Sequence, residues 1–298
     1  MLNAGVDPRI FDFTGEKSWG NYDLIVEILD LGVKIDTQKN FLSKAFRNIV
    51  ASHARTKPDL VLDFIKLFIE RNIIDVKDKK VCSALYTFYM EDGRPSKSVV
   101  EFMIENFEIA WNYSLLSYLA TSNDPVLFDV AHKKSGLSDT MALLGICQTI
   151  YTYKYVRIDF VEFLSNFSFN INSAKFCKYI GSEIFHIDEK NFRAIISQGV
   201  DFASQQAVVL KRLTKTFFKL PILVILQEIG LDFAAEDEIF IKHVKNRANN
   251  AHRLNVIKWL RENGYRENID KYTNEETDGI EYATEHEESD EDEIEDEV

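Results

Sequence analysis

The sequence has little of what staples, breaks or anchors a chain. Three cysteines (Cys82, Cys147, Cys177) among 298 residues make no disulfide framework, and cysteine this sparse points to a reducing compartment. The longest apolar stretch, LPILVIL at 220–226, falls far short of the roughly 20 residues that span a bilayer. The opening MLNAGVDPRIFDF lacks a basic region followed by an apolar run, so no signal peptide is expected. The expectation is a soluble intracellular protein, cytoplasmic with the nucleus also open, and with no membrane partner.

Positive charge is also in short supply, and its distribution matters more than the total. The net charge is −13. Residues 275–298 hold fourteen carboxylates and no Lys or Arg, which leaves 34 acidic side chains against 35 basic ones in the rest of the chain. The body is therefore nearly neutral, which argues against direct nucleic-acid binding, a function that usually shows clustered positive charge. Hydrophobic residues make up 46% of the chain, enough to bury a large core.

Catalytic signatures are missing too. Neither GxGxxG nor GxxxxGK[ST] occurs, so no phosphate cradle is written. GxSxG is absent, and no cysteine is flanked as a nucleophile would be. The six histidines (His53, His132, His186, His243, His252, His286) show no metal-ligand spacing. No cofactor, no metal and no enzyme activity are expected, and the cysteines read as core filler.

What is present is a repeat. Apolar segments close again and again on Gly or Asn: Gly32, Asn72, Asn106, Gly136, Asn166, Gly199, Gly230 and Gly264, at intervals of 40, 34, 30, 30, 33, 31 and 34 residues. Gly and Asn most easily take the left-handed conformation just past a helix end. Before each mark stands a helical stripe, such as Val61, Phe64, Ile65, Phe68 and Ile69, or Val256, Trp259 and Leu260. Pro58, Pro95, Pro125 and Pro221 lie 9 to 14 residues ahead of a mark, where a second helix should begin. Cap-capable Thr37, Asp78, Asn112, Asn172 and Ser204 follow marks by five or six residues and should open a first helix. The unit reads as loop, helix, turn, helix, then Gly or Asn, and such hairpins bury their apolar faces only by stacking.

The segments GVKID, GVDFA, GLDFA and NFSFNI resemble the finger that follows the second helix of an ankyrin repeat. AHRLNVIKWLRENG at 251–264 is similar to the second half of the divergent ankyrin repeats abundant in large DNA viruses of amoebae. The Thr-Pro-Leu-His start of the first helix is missing from every unit. The resemblance implies an all-α, ankyrin-like solenoid of helical hairpins with fingers shortened or missing. It would span 21–270, between an N-terminal cap segment at 1–20 and a disordered acidic tail at 271–298. It also implies a protein–protein interaction scaffold, a viral protein engaging host or virion proteins.

By that resemblance the binding surface takes in the loop residues Lys34, Asp36, Asp75, Lys77, Asp201, Asp232 and Glu236. The residues themselves add the amphipathic aromatics Trp111, Tyr113, Tyr151 and Tyr155, types favoured at interface hot spots though more often core. The tail EETDGIEYATEHEESDEDEIEDEV is too charged to fold alone. It reads as a solubilising end, as a ligand for basic proteins, or as a regulatory segment with Ser289 as an acid-flanked phosphosite. An acidic charge mimic or chaperone-like binder of basic proteins is the alternative function.

Overall fold

The computed structural model describes residues 21–30, 39–54, 56–91, 95–152, 159–215, 219–246 and 251–272. The protein is all-α. Among the described residues there are sixteen α-helices, two short 3-10 turns and no strand. The chain divides into two compact units, one up to Leu231 and one from Asp232, where the sequence reading draws one array over 21–270. No described helix is long and apolar enough to cross a membrane.

The first unit holds α1 (Tyr22–Asp30), α2 (Lys39–His53), α3 (Pro58–Glu70), α4 (Lys79–Glu91), α5 (Lys97–Asn106), α6 (Tyr113–Thr121), α7 (Pro125–Ser135), α8 (Asp139–Thr152), α9 (Phe160–Ser165), α10 (Ser173–Tyr179), α11 (Glu189–Ser197), α12 (Gln206–Leu213) and α13 (Leu220–Glu228). Packing follows parity. Helices α2, α4, α6, α8, α10 and α12 each lie against the next of their series. So do α1, α3 and α5, and again α9, α11 and α13. Each helix buries the stripe its sequence carries. Val61, Phe64, Ile65 and Phe68 of α3 are at most 1% exposed, while Asp63, Lys66 and Glu70 face solvent. Phe128, Phe163, Phe176, Phe185 and Phe192 are also fully buried. At about 1.5–3 kcal/mol for each large apolar side chain, such rings dominate the favourable side of folding.

Helix ends follow the punctuation with informative exceptions. Asn72, Gly136, Gly199, Gly230 and Gly264 all have positive φ, between 55° and 99°. Asn106 and Asn166 do not. Their side-chain amides instead donate to the carbonyls of Phe102 (2.8 Å) and Glu162 (2.8 Å), four residues back. An asparagine can thus satisfy an orphan carbonyl either by turning its backbone or by folding its side chain over the helix. The cap reading holds for Asp78, Asn112 and Asn172, which accept from backbone N–H groups of the first turn at 2.9–3.1 Å. It fails at Ser204, whose own N–H donates to Asp201 Oδ1 at 3.0 Å. A 3-10 turn over Ala203–Gln205 intervenes there before α12. Pro58, Pro125 and Pro221 sit in first turns as the spacing predicts. Pro95 falls two residues ahead of α5, behind Ser96 at the N-cap.

The second unit holds α14 (Ala235–Asn246), α15 (Ala251–Glu262) and α16 (Arg266–Asp270), which pack on one another. The first turn of α14 is left-handed at Glu236, Asp237 and Glu238, with φ of 55° to 58°. Each such non-glycine residue costs about 1–2 kcal/mol. Glu238 anchors the turn: its carboxylate accepts from Asn268 (2.7 Å), Lys271 (2.8 Å) and the Tyr272 hydroxyl (2.6 Å).

Candidate functional site

Three of the loops that follow punctuation marks are tied to a hydroxyl group of a neighbouring helix. Ala110 N–H donates to Ser83 Oγ (2.8 Å), Asn172 N–H to Thr140 Oγ1 (2.9 Å) and Asp201 N–H to Ser173 Oγ (2.9 Å). In each case the acceptor lies in the helix one period back in the chain. Glu108 N–H adds a loop-to-loop bond to the carbonyl of Val76 at 2.8 Å. Thr140 and Ser173 stand in the first turns of α8 and α10, and Ser83 in the second turn of α4. Their signal was a lone hydroxyl, too common to be singled out.

Most loop carboxylates in the predicted set form turns. Asp75 Oδ1 accepts from Lys77 N–H (2.9 Å), Asp201 Oδ1 from Ser204 N–H (3.0 Å) and Asp232 Oδ1 from Ala234 N–H (2.9 Å). Asp75, Lys77, Asp201, Asp232 and Glu236 are all exposed, Asp232 and Glu236 in the second unit. Lys34, Asp36, Tyr155 and Ser289 lie outside the described residues, as does the tail from 273 on. Tyr151 falls in α8, and its side chain is likewise outside them.

Trp111 and Tyr113 flank the cap residue Asn112 and part company there. Trp111 is half-buried, with its ring edge-on to the fully buried Tyr86 at 5.4 Å. Tyr113 opens α6 and lines a cleft of about 340 Å³ with Leu144 and Gln148 of α8 and with Tyr179, Ile180, Gly181 and Glu183 after the core of α10. A few hundred cubic ångströms is the scale of a small-ligand or side-chain site. Leu144 and Ile180 give it a buried apolar floor, whereas Tyr179 is 51% exposed. Of the predicted residues only Tyr113 belongs to this cleft. The others come from two stretches of the chain, 144–148 and 179–183.

The chain matches no family model, no characterised protein and no solved structure.

The close seam of α6 and α8 supports the cleft, because α8 carries Gly145 where the carbonyl of Tyr113 approaches. A Cβ at that glycine would lie 2.6 Å from the carbonyl oxygen. The charges around the cleft are sparse. Lys178 Nζ lies 5.4 Å from the centroid of the Tyr179 ring. Arg212 is engaged elsewhere, donating to the carbonyls of Cys177 (3.1 Å) and Lys178 (2.6 Å) at the end of α10. His186 has its pKa lowered, first by desolvation and also by Lys219, against the opposing pull of Glu183.

The cysteines sit in α4, α8 and α10, all buried and unpaired. Burial pushes the Cys82 thiol up to about 11 and that of Cys177 to about 12, and raises Cys147 further. Thiols so shifted are poor nucleophiles and poor metal ligands at neutral pH. Among the described residues no group of three or more His, Cys, Asp or Glu side chains is placed to hold a metal ion.

Proposed function

We propose that this chain is a protein-interaction scaffold built from stacked helical hairpins of ankyrin-like kind, with fingers reduced to loops. The observation that carries the reading is the tie, seen at three loops, to the helix one period back: Ala110 to Ser83, Asn172 to Thr140, Asp201 to Ser173. Stacked units with loops held at fixed positions make a surface whose side chains are preorganised, which lowers the ordering cost of binding. The parity of helix packing supports the same reading, since quasi-one-dimensional arrays contact only their neighbours. A viral protein engaging host or virion components is the setting its sequence resemblance implies.

The test is an affinity capture with the full chain beside a 1–272 truncation, followed by Lys77→Glu and Asp201→Lys in each. A scaffold keeps its partners on truncation and loses them with the loop changes. The acidic segment 275–298, with its fourteen carboxylates, favours a second reading as a binder of basic proteins. That reading requires capture of basic proteins by the full chain only, with steep salt dependence, because exposed charges are screened over about 8 Å at physiological ionic strength.

A further inference from the structure

We infer that the cleft between α6, α8 and the segment after α10 receives a cationic side chain, lysine or arginine, presented by a protein partner. The inference rests on the interaction-scaffold reading and names the chemistry of one of its contact points.

Gly181 is the first argument. Its φ of −68° and ψ of 163° are extended backbone that any residue adopts, so no conformational demand calls for glycine. The demand comes from Glu183. A Cβ at 181 would fall 2.0 Å from Glu183 Oε2. The missing side chain is the space in which the carboxylate rests, folded back toward the cleft. Any other residue at 181 would turn that carboxylate away.

The second argument is charge. Glu183 makes no ion pair among the described residues. Of the cations on and around α10, Arg212 is held on the carbonyls of Cys177 and Lys178, and Lys178 lies over the Tyr179 ring. His186 is held toward its neutral form at pH 7. The carboxylate's charge is therefore available to a ligand, and it repels an anion such as a nucleic-acid phosphate.

The third is the remaining lining. Tyr113 and Tyr179 bring two electron-rich rings, Leu144 and Ile180 an apolar floor, and Gln148 an amide. Ring faces attract a desolvated ammonium or guanidinium, and an apolar floor suits the methylene stem of Lys or Arg. The Tyr179 ring already carries the Lys178 ammonium at 5.4 Å, which leaves Tyr113 as the ring for a ligand cation. A volume of about 340 Å³ admits one long side chain with its neighbouring backbone.

The experiment is an NMR titration of the full chain with N-acetyl-arginine amide, against its neutral isostere N-acetyl-citrulline amide. The expected result is millimolar binding of the arginine probe, with backbone shifts at Leu144, Ile180 and Gly181 and none from citrulline. Glu183→Gln should weaken it by about two- to fivefold, the worth of a solvent-exposed charge pair. Gly181→Ala should weaken it similarly without lowering Tm, because only the carboxylate is moved. Equal shifts from citrulline, undiminished binding by Glu183→Gln, or no shifts at these residues would overturn the inference. Since a single amino acid is the probe, its failure alongside a successful affinity capture removes the cleft and leaves the scaffold. Success here with failed capture does the reverse.

Discussion

Gly145→Ala probes the seam on which the cleft stands. The added Cβ would lie 2.6 Å from Tyr113 O, 3.2 Å from Leu116 Cβ and 3.4 Å from Ser117 N. The nearest of these is a backbone atom in the first turn of α6 and cannot rotate aside. Two effects oppose each other. Alanine gains about 0.5–1 kcal/mol over glycine inside a helix. Overpacking a filled core costs about 1–3 kcal/mol. Relief requires α8 to shift bodily from α6, against buried Leu116, Leu119, Leu143 and Ile146, so the steric effect should fall in the upper part of its range. The net expectation is a loss of about 1–2 kcal/mol. At about 2–4 °C per kcal/mol for a unit of this size, Tm should fall by about 2–8 °C. Thermal melts followed by far-ultraviolet circular dichroism give the number. Gly136→Ala is the contrast: nothing lies within 4 Å of its Cβ, but its φ is +66°, so its cost is local backbone strain and the resonances of Tyr113 and Leu144 should not move. An unchanged or raised Tm for Gly145→Ala would refute the close approach of α6 and α8.

Three further expectations follow from the same contacts. Hydrogen bonds from Lys271, Tyr272 and Asn268 hold the Glu238 carboxyl, ordinarily near 4.5, down to about 2. Its folded pKa is depressed, so its contribution to the second unit is present above pH 4.5 and is lost as pH falls toward 2; Glu238→Gln should flatten that part of the acid-unfolding curve, and an unaltered curve would contradict the anchoring role. The thiols of Cys82, Cys147 and Cys177, buried and raised in pKa, should resist a disulfide reagent at pH 8 until the chain unfolds, and rapid reaction of any of them in the native protein would show the burial to be wrong. Arg212→Met should cost about 1–3 kcal/mol in urea denaturation by stripping the carbonyls of Cys177 and Lys178 of their donor, and an unshifted midpoint would remove Arg212 as a cap.

The sequence spoke most clearly where physics is local. A stripe such as Val61, Phe64, Ile65 and Phe68 announces both a helix and its buried face, and Pro58 and Pro125 announce where helices begin, because these preferences depend on residues within one or two turns. Asn106 and Asn166 mark the limit of that reasoning. Asparagine was legible as a stop signal at both, but local preference does not say whether it stops the helix by backbone or by side chain, since Phe107 after Asn106 and Ile73 after the left-handed Asn72 are both buried. Ser204 failed as a cap because Asp201, three residues earlier, engages it from both sides: its carboxylate accepts from Ser204 N–H and its carbonyl from the Ser204 hydroxyl.

The cleft lay beyond local rules altogether. Tyr113, Gln148 and Glu183 stand at intervals of 35 residues, close to the repeat period, but differ in residue type and lie in no local motif, and Gly181 lies outside the Gly and Asn series. Only the three-dimensional distance from its absent Cβ to Glu183 Oε2 separates a glycine kept for its backbone from one kept for its neighbour's carboxylate. That distinction carries the functional argument. A backbone glycine would report on folding alone, and Gly181→Ala would then change Tm. A glycine that houses a carboxylate reports on what the carboxylate meets, and the same substitution should change binding while Tm stays where it was.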